Sequence, residues 1–255
     1  MDVALLTVGD ELLSGVTVNT NSTWLCGSLV ERGARVRRIV VVPDQIEAIA
    51  NELIRLRDQC DRVIVTGGVG PTHDDVTMEA VAAALGRSMV EHPDAREWLL
   101  ENGGYSASEL VEGTADLPAG ATALNNPVGV APGAYVDGVY VLPGVPEEMK
   151  AMFETIADDF SGTVLHRNEV TVDEPESALL GRFAEIRDQF NVRVGSYPGE
   201  HVVVRITGED AREVSAATDW LVANAATVST QKEDDPESSE DEAKREDDSG
   251  SETSI

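Results

Sequence analysis

Three short apolar runs in the first 70 residues, each followed by a helical pattern, leave this chain few folds to choose from. The runs are VALLTV (residues 3–8), RVRRIVVV (35–42) and RVIVT (62–66). Runs of this length read as strands, and VALLTV as one covered on both faces. NSTWLCGSLVERG reads as a helix stopped by Gly33. After PDQ, Ile46, Ile49, Ala50 and Leu53 share one helical face, and VTMEAVAAAL continues as a third helix to about Leu85. Strand and helix alternating three times predicts right-handed β-α-β units around a mainly parallel sheet, an α/β fold. In such sheets ligands gather where loops leave the carboxyl ends of strands. The loops so placed are GDELLSG, VPD and TGGVGPTHDD, and all three carry acids.

Further along, HPDAREWLLENGG reads as a short helix, followed by a loop. The segment from Gly120 predicts a strand and then a hairpin, AYV-DG-VYVL, with DG as its turn. PEEMKAMFETIADDF opens a helix with proline in its first turn and two acids at the positive end of the dipole. From 166 to 228 the pattern changes to β-α-β-β-α, with Leu179, Phe183, Ile186 and Phe190 on one helical stripe. The expected organisation is a first domain over 1–163, a small α+β domain over 166–228, and an acidic tail over 230–255.

The tail has too few apolar residues to offset its ordering entropy and is expected to be disordered. The whole chain carries 47 acids and 19 bases, a net charge of −28. Residues 1–230 alone hold 36 acids against 16 bases, and lysine occurs only three times in the chain. Such a surface suits a salt-rich, halophilic cytoplasm, where ionic strength screens self-repulsion. It offers no basic stripe for a phosphate backbone, so a nucleic-acid partner is not expected. No apolar run is long enough to span a membrane and no signal peptide is evident, which predicts a cytoplasmic protein without a membrane partner. Cys26 and Cys60 form neither a CxxC site nor a disulfide framework. His92, His166 and His201 lack metal-ligand spacing, and Trp24, Trp98 and Trp220 fall on apolar faces.

The segment TGGVGPTHDD (66–75) carries the most specific chemistry. Gly67, Gly68 and Gly70 let an anion approach backbone amides, and the next helix adds unpaired N–H groups. Carboxylates beside a phosphate make sense when a divalent cation lies between them. Asp75 is the first candidate for that role and Asp74 the second. The competing reading is a tight strand-to-helix turn with Asp75 as its cap. The segment lacks the lysine of a Walker loop and is not a dinucleotide fingerprint.

TGGVGPTHDDVT resembles the signature loop of the MoaB/Mog-like molybdenum-cofactor domain, some members of which bind molybdopterin. Its THDD variant is similar to the CinA type (competence/damage-inducible protein A). GDELLSG, NTNSTWL, NNPVGVAPGAYV and LPGVPEEM resemble CinA segments in the same order, and ESALLG and GSYP extend the likeness to about residue 228. The resemblance implies a three-layer α/β domain followed by a small KH-type domain. Full-length CinA continues into a nicotinamide-mononucleotide deamidase domain; this chain is expected to lack it. The KH likeness does not bring RNA binding with it, because the small domain lacks a GxxG loop with basic flanks.

By position, the resemblance implies functional roles for Asp75 and for Asp44 in VPD, as catalytic groups and metal ligands. It also implies a ligand site walled by Asn126, Pro127, Gly129, Pro143, Gly144 and Pro146, with Thr72 in the cradle. Gly9, Asp10 and Glu11 lie at the mouth of the first strand, where the two acids position metal or water or merely start a helix. Asn21 and Ser22 either contact a nucleotide or cap a helix. His73 and Asp74 replace the arginines usual in molybdopterin adenylyltransferases, which favours metal-assisted pyrophosphate chemistry. The leading expectation is a metal-dependent pyrophosphatase acting on ADP-ribose or FAD, using magnesium or cobalt, with potassium as a further cation. The alternatives are a non-catalytic protein holding molybdopterin or a nucleotide, and adenylyl transfer onto molybdopterin. A homodimer is the expected assembly. For the salt-adapted reading, the melting temperature should rise between low and multimolar KCl; a flat or falling curve would remove it.

Overall fold

The computed structural model describes residues 1–70, 75–102 and 113–232. In chain order these form β1 (Asp2–Val8), α1 (Asp10–Leu13), α2 (Thr20–Glu31), β2 (Arg35–Val42), α3 (Ile46–Arg57), β3 (Arg62–Thr66) and α4 (Thr77–Leu85). Next come β4 (Met89–Glu91), α5 (Pro93–Asn102), β5 (Asp116–Pro118), β6 (Thr122–Leu124), β7 (Gly133–Val136), β8 (Val139–Leu142) and α6 (Pro146–Ile156). Then follow β9 (His166–Val172), α7 (Glu176–Gln189), β10 (Arg193–Tyr197), β11 (Val202–Gly208), α8 (Ala211–Asn224) and β12 (Thr227–Lys232). Contacts divide the chain into two compact units, Met1–Thr163 and the remainder from Val164.

The first unit is built on a sheet of order β2-β1-β3-β8-β7-β6. β1 pairs in parallel with β2 and β3, and β3 in parallel with β8. The last three strands form an antiparallel meander. Alternation along β1 sends Ala4, Leu6 and Val8 to one face and Val3 and Leu5 to the other, so the strand needs a helical layer on each side. Ile49, Leu53 and Leu56 of α3, Val81 of α4 and Leu99 of α5 supply one layer. Leu25 and Leu29 of α2, with Met149, Met152 and Phe153 of α6, supply the other. The mainly parallel sheet is the one the sequence pattern predicted, and the three layers are those the family resemblance implied.

The DG turn between β7 and β8 has φ of 48° at Asp137 and 83° at Gly138. Positive values at both positions match the twist of the two strands. Strands β4 and β5 add a small antiparallel pair that was not expected, β4 just before the HPDAREWLLENGG helix and β5 after the stretch read as loop. β2 is an edge strand, and Arg35, Arg37, Arg38 and Ile39 on it are exposed. Asp2 holds Arg35 at 2.7 Å and Arg37 at 3.4 Å.

The second unit corrects two expectations. Its order is β9-α7-β10-β11-α8-β12, and its sheet runs β10-β11-β9-β12 with every neighbour antiparallel. That is the split β-α-β, ferredoxin-like arrangement, and it gives the KH-type expectation no support. The added strand β12 reaches Lys232, so residues 230–232 are paired sheet and not tail. Few of its residues are apolar, which is why the sequence hid it. Residues 233–255 of the expected tail lie outside the described residues. Leu179, Phe183 and Ile186 of α7 and Val214, Ala217 and Leu221 of α8 cover one face of this sheet.

Phe153 is fully buried, with its ring 5.5 Å from that of Phe160 and meeting Trp24 edge-on at 5.6 Å. Phe153→Ala should therefore cost about 3–5 kcal/mol, read by denaturant unfolding. A loss under about 1 kcal/mol would mean that this layer collapses into the space.

Candidate functional site

Because β1, β2, β3 and β8 run in parallel, their carboxyl ends deliver four loops to one edge of the sheet. Gly9–Asp10, Pro43–Asp44, Gly67–Gly70 and Pro143–Gly144 follow those strands in turn. Backbone bonds stitch neighbouring exits together: Gly9 N–H donates to the Val42 carbonyl at 3.1 Å, and Gly67 N–H to the Leu142 carbonyl at 3.2 Å. Asp44, Asp10 and the 67–70 loop are thus placed by strand register.

The glycines are required here by space as well as by φ. Gly67 and Gly68 have φ of 98° and 63°, values that side chains other than glycine seldom adopt. A Cβ on Gly67 would run into the Val8 carbonyl. One on Gly68 would lie 2.5 Å from Thr77 Oγ1 and 3.4 Å from Asp44 Oδ1. One on Gly70 would lie 2.8 Å from Asp75 Oδ2. The loop therefore passes close to Asp44 at Gly68 and close to Asp75 at Gly70. Thr77 opens α4, and its N–H donates to the Gly68 carbonyl at 3.0 Å.

Acid is concentrated at this edge. Burial raises the Asp44 carboxyl above its usual range, the Asp10 N–H bond at 2.9 Å opposes that, and the charges of Asp10, Glu11 and Asp75 push it further up. Glu11 folds back so that its carboxylate lies against Gly9. Asp10 and Glu11 are exposed, whereas Asp44 and Asp75 are half-buried. Among the described residues, no three His, Cys, Asp or Glu side chains converge as a ready metal cluster. A cation beside Asp44 and Asp75 would thus be held by one or two carboxylates together with ligand oxygens, the manner in which magnesium is commonly bound. The donor set is all oxygen, which suits a hard divalent ion.

Other predicted residues are placed differently. Asn19, not Ser22, caps α2: its Oδ1 accepts from Ser22 N–H at 3.0 Å. Ser22 is buried, with its hydroxyl 2.9 Å from Thr7 Oγ1, and faces the interior. Asn21 Nδ2 donates to the Gly144 carbonyl at 2.7 Å and pins the loop after β8. Asn126 is fully buried and its amide is used up. Nδ2 donates to the Ala131 carbonyl and to Glu148 Oε2, while Oδ1 accepts from the Val128 and Gly129 N–H groups. It organises its loop and has nothing left for a ligand. Pro143 is buried, Pro127, Gly144 and Pro146 are exposed, and Gly129 sits against the Glu148 carboxylate. Pro146 occupies the first turn of α6, as its sequence position predicted. Thr72 and Asp74, with His73, lie outside the described residues.

Sequence reasoning missed the threonines. Thr77 is fully buried and its hydroxyl has no hydrogen-bond partner among the described residues; Thr66 Oγ1 and Asn21 Oδ1 are likewise buried and unpartnered among them. Buried polar atoms are seldom left so, and these three border the carboxyl-end loops. The position of Thr77 two residues after Asp75, at a helix start, was the available signal.

The crowding around Asp44 has a measurable sign. Its raised folded-state value means that ionising it weakens the fold at any pH above that value, and that the penalty vanishes once it is protonated. Asp44→Asn, which keeps an oxygen for the Asp10 N–H, should raise the melting temperature near pH 7. The gain should disappear by about pH 3, where the aspartate is protonated in folded and unfolded chains alike. An unchanged or lowered melting temperature at pH 7 would show that the carboxylates do not crowd one another.

Comparison with known proteins identifies the family of the first unit. Residues 4–162 match the family described as "probable molybdopterin binding domain". A protein of Archaeoglobus fulgidus is 36% identical over 219 residues, covering 85% of this chain and 95% of that one. A CinA-like protein of Salinibacter ruber is 38% identical over 232 residues, covering 85% of this chain but 56% of its own length. The crystal structure of CinA from Thermoplasma acidophilum, a protein described as of unknown function, superposes with a TM-score of 0.59 at 35% identity. It covers 62% of this chain and 97% of that one. With its first unit matched nearly end to end, the chain belongs to the molybdopterin-binding domain family and has CinA-like relatives.

Proposed function

We propose that this chain hydrolyses a nucleotide pyrophosphate such as ADP-ribose or FAD with the help of a divalent cation. The observation that carries the reading is the Gly67–Gly70 loop passing close to Asp44 and Asp75, with Asp10 and Glu11 adding charge. Backbone at this loop suits an anionic phosphate, and the two carboxylates beside it, with Asp10 and Glu11 acting on Asp44, call for positive charge. Asp44 and Asp75 would hold magnesium or cobalt, which when bound supplies charge neutralisation at the pyrophosphate. Asp75 and Asp44 also fix the cation's position relative to the loop. The Thr77 hydroxyl lies where it would donate to a phosphate oxygen resting on Gly68 once the loop yields slightly. The proposal includes a cytoplasmic, salt-adapted homodimer with a small-molecule substrate and no nucleic-acid partner, in keeping with the acidic surface.

The family description supports a second reading, in which the same loop holds molybdopterin or a nucleotide without turnover, or transfers adenylyl to the pterin. Incubation with ADP-ribose, FAD and NAD in molar KCl, with magnesium or cobalt against an EDTA control, separates the readings by AMP release. Metal-dependent AMP is expected, with Asp75→Asn lowering turnover by about 10²–10³-fold. Thr77→Val should lower turnover without lowering the melting temperature, since its hydroxyl has no partner to lose among the described residues. Folded protein that releases no AMP from any of the three would move the assignment to ligand binding, with molybdopterin as the compound to test.

A further inference from the structure

At the opposite end of β3 and β8 lies a cavity of about 350 Å³. Arg57, Arg62 and Asp137 line it, with Ile54, Val63 and Ala84 as its apolar wall. A volume of this order accommodates a small molecule. The five residues of β3 separate it from the carboxyl-end loops, about 17 Å along the strand. It is therefore a different place from the site proposed above.

Two guanidinium groups reach this cavity. Acids outnumber bases 47 to 19, yet neither Arg57 nor Arg62 forms an ion pair among the described residues. Each donates only to a backbone carbonyl, Arg57 Nη2 to Asp137 at 3.3 Å and Arg62 Nη1 to Asp61 at 3.0 Å. Arg62 Nε is buried and has no acceptor among the described residues. The nearby carboxylates are already engaged. Asp61 Oδ2 accepts from the Asp2 N–H at 2.7 Å, and Asp137 Oδ2 is held by Arg87 at 2.6 Å. Asp58 also lines the cavity, at the exposed end of α3. A buried guanidinium N–H without an acceptor is costly, and a planar fork of donors suits an oxyanion.

We propose that this cavity binds a small oxyanion of the phosphate class, held by Arg57 and Arg62. The apolar wall leaves room for a short carbon skeleton on the anion, so a phosphate monoester fits as well as inorganic phosphate. Committing Asp61 and Asp137 to other donors keeps both arginines available in a chain dominated by acid.

The test is a titration of the full-length protein with inorganic phosphate and EDTA at constant ionic strength, followed by the arginine Nε–Hε signals in NMR. The Arg57 and Arg62 signals should move and saturate together with one dissociation constant, at or below about 10 mM. The Arg55 signal should stay still, because that side chain is paired with Glu52 on the surface. In Arg62→Gln the Arg57 shift should be lost, whereas in Gly68→Ala, which disturbs the other site, it should persist. A ribose phosphate titrated in parallel distinguishes a monoester from the free ion by its tighter or weaker binding. Absence of a saturable shift, movement of all arginines together, or an Arg57 response surviving Arg62→Gln would each overturn the proposal.

Discussion

Parallel pairing of β1 with both β2 and β3, extended through β3 to β8, is the constraint from which the candidate site follows. Parallel strands leave a sheet through the same edge, so four connections that are far apart in sequence meet without being designed to touch. Their contacts are correspondingly modest: two backbone bonds between adjacent exits, one side-chain amide from α2, and glycines that let the backbones close up. The acids are placed by this framework against their mutual repulsion. Asp44 is held by an N–H group, not by a cation of the protein, and its raised carboxyl records the strain of that choice. Carboxylates held close together beside a backbone shaped for close approach are the feature that singles out this edge of the sheet.

The carboxyl-end location was legible because periodicity identifies strands, and strands identify where loops must emerge. The layers were legible for the same reason, since an apolar run without alternation demands cover on both faces. What could not be read was how finite hydrogen-bonding capacity is allotted. Asn126 and Ser22 have residue types that commonly contact ligands, yet Asn126 spends its whole amide inside one loop and Ser22 joins Thr7 and Asn19 in the interior. Thr77 shows the reverse, an ordinary residue whose hydroxyl has no partner among the described residues. Such distinctions depend on contacts between residues distant in the chain.

The second unit shows a different limit. β12 carries almost no apolar residues, and its Thr, Ser, Gln and Lys side chains gave no periodic signal. It is a strand because β9 offers it a backbone edge, from Thr227 opposite Val172 to Lys232 opposite Asn168. Tertiary pairing overrode composition there, and with it the boundary between small domain and tail. β10, β11 and β9 are already antiparallel to one another, and this polar strand adds the fourth, outer position beside β9.

β2 exposes a consequence of the chain's shortage of positive charge. An open sheet edge invites strand addition, and proteins commonly guard such edges with basic side chains. Here three of the 19 bases, Arg35, Arg37 and Arg38, stand on that single strand, with Ile39 exposed beside them. A guard made of charge weakens as salt screens it, at the same time as salt relieves the repulsion among the acids. If the salt-adapted reading holds, the salt that favours the folded state also disarms this edge.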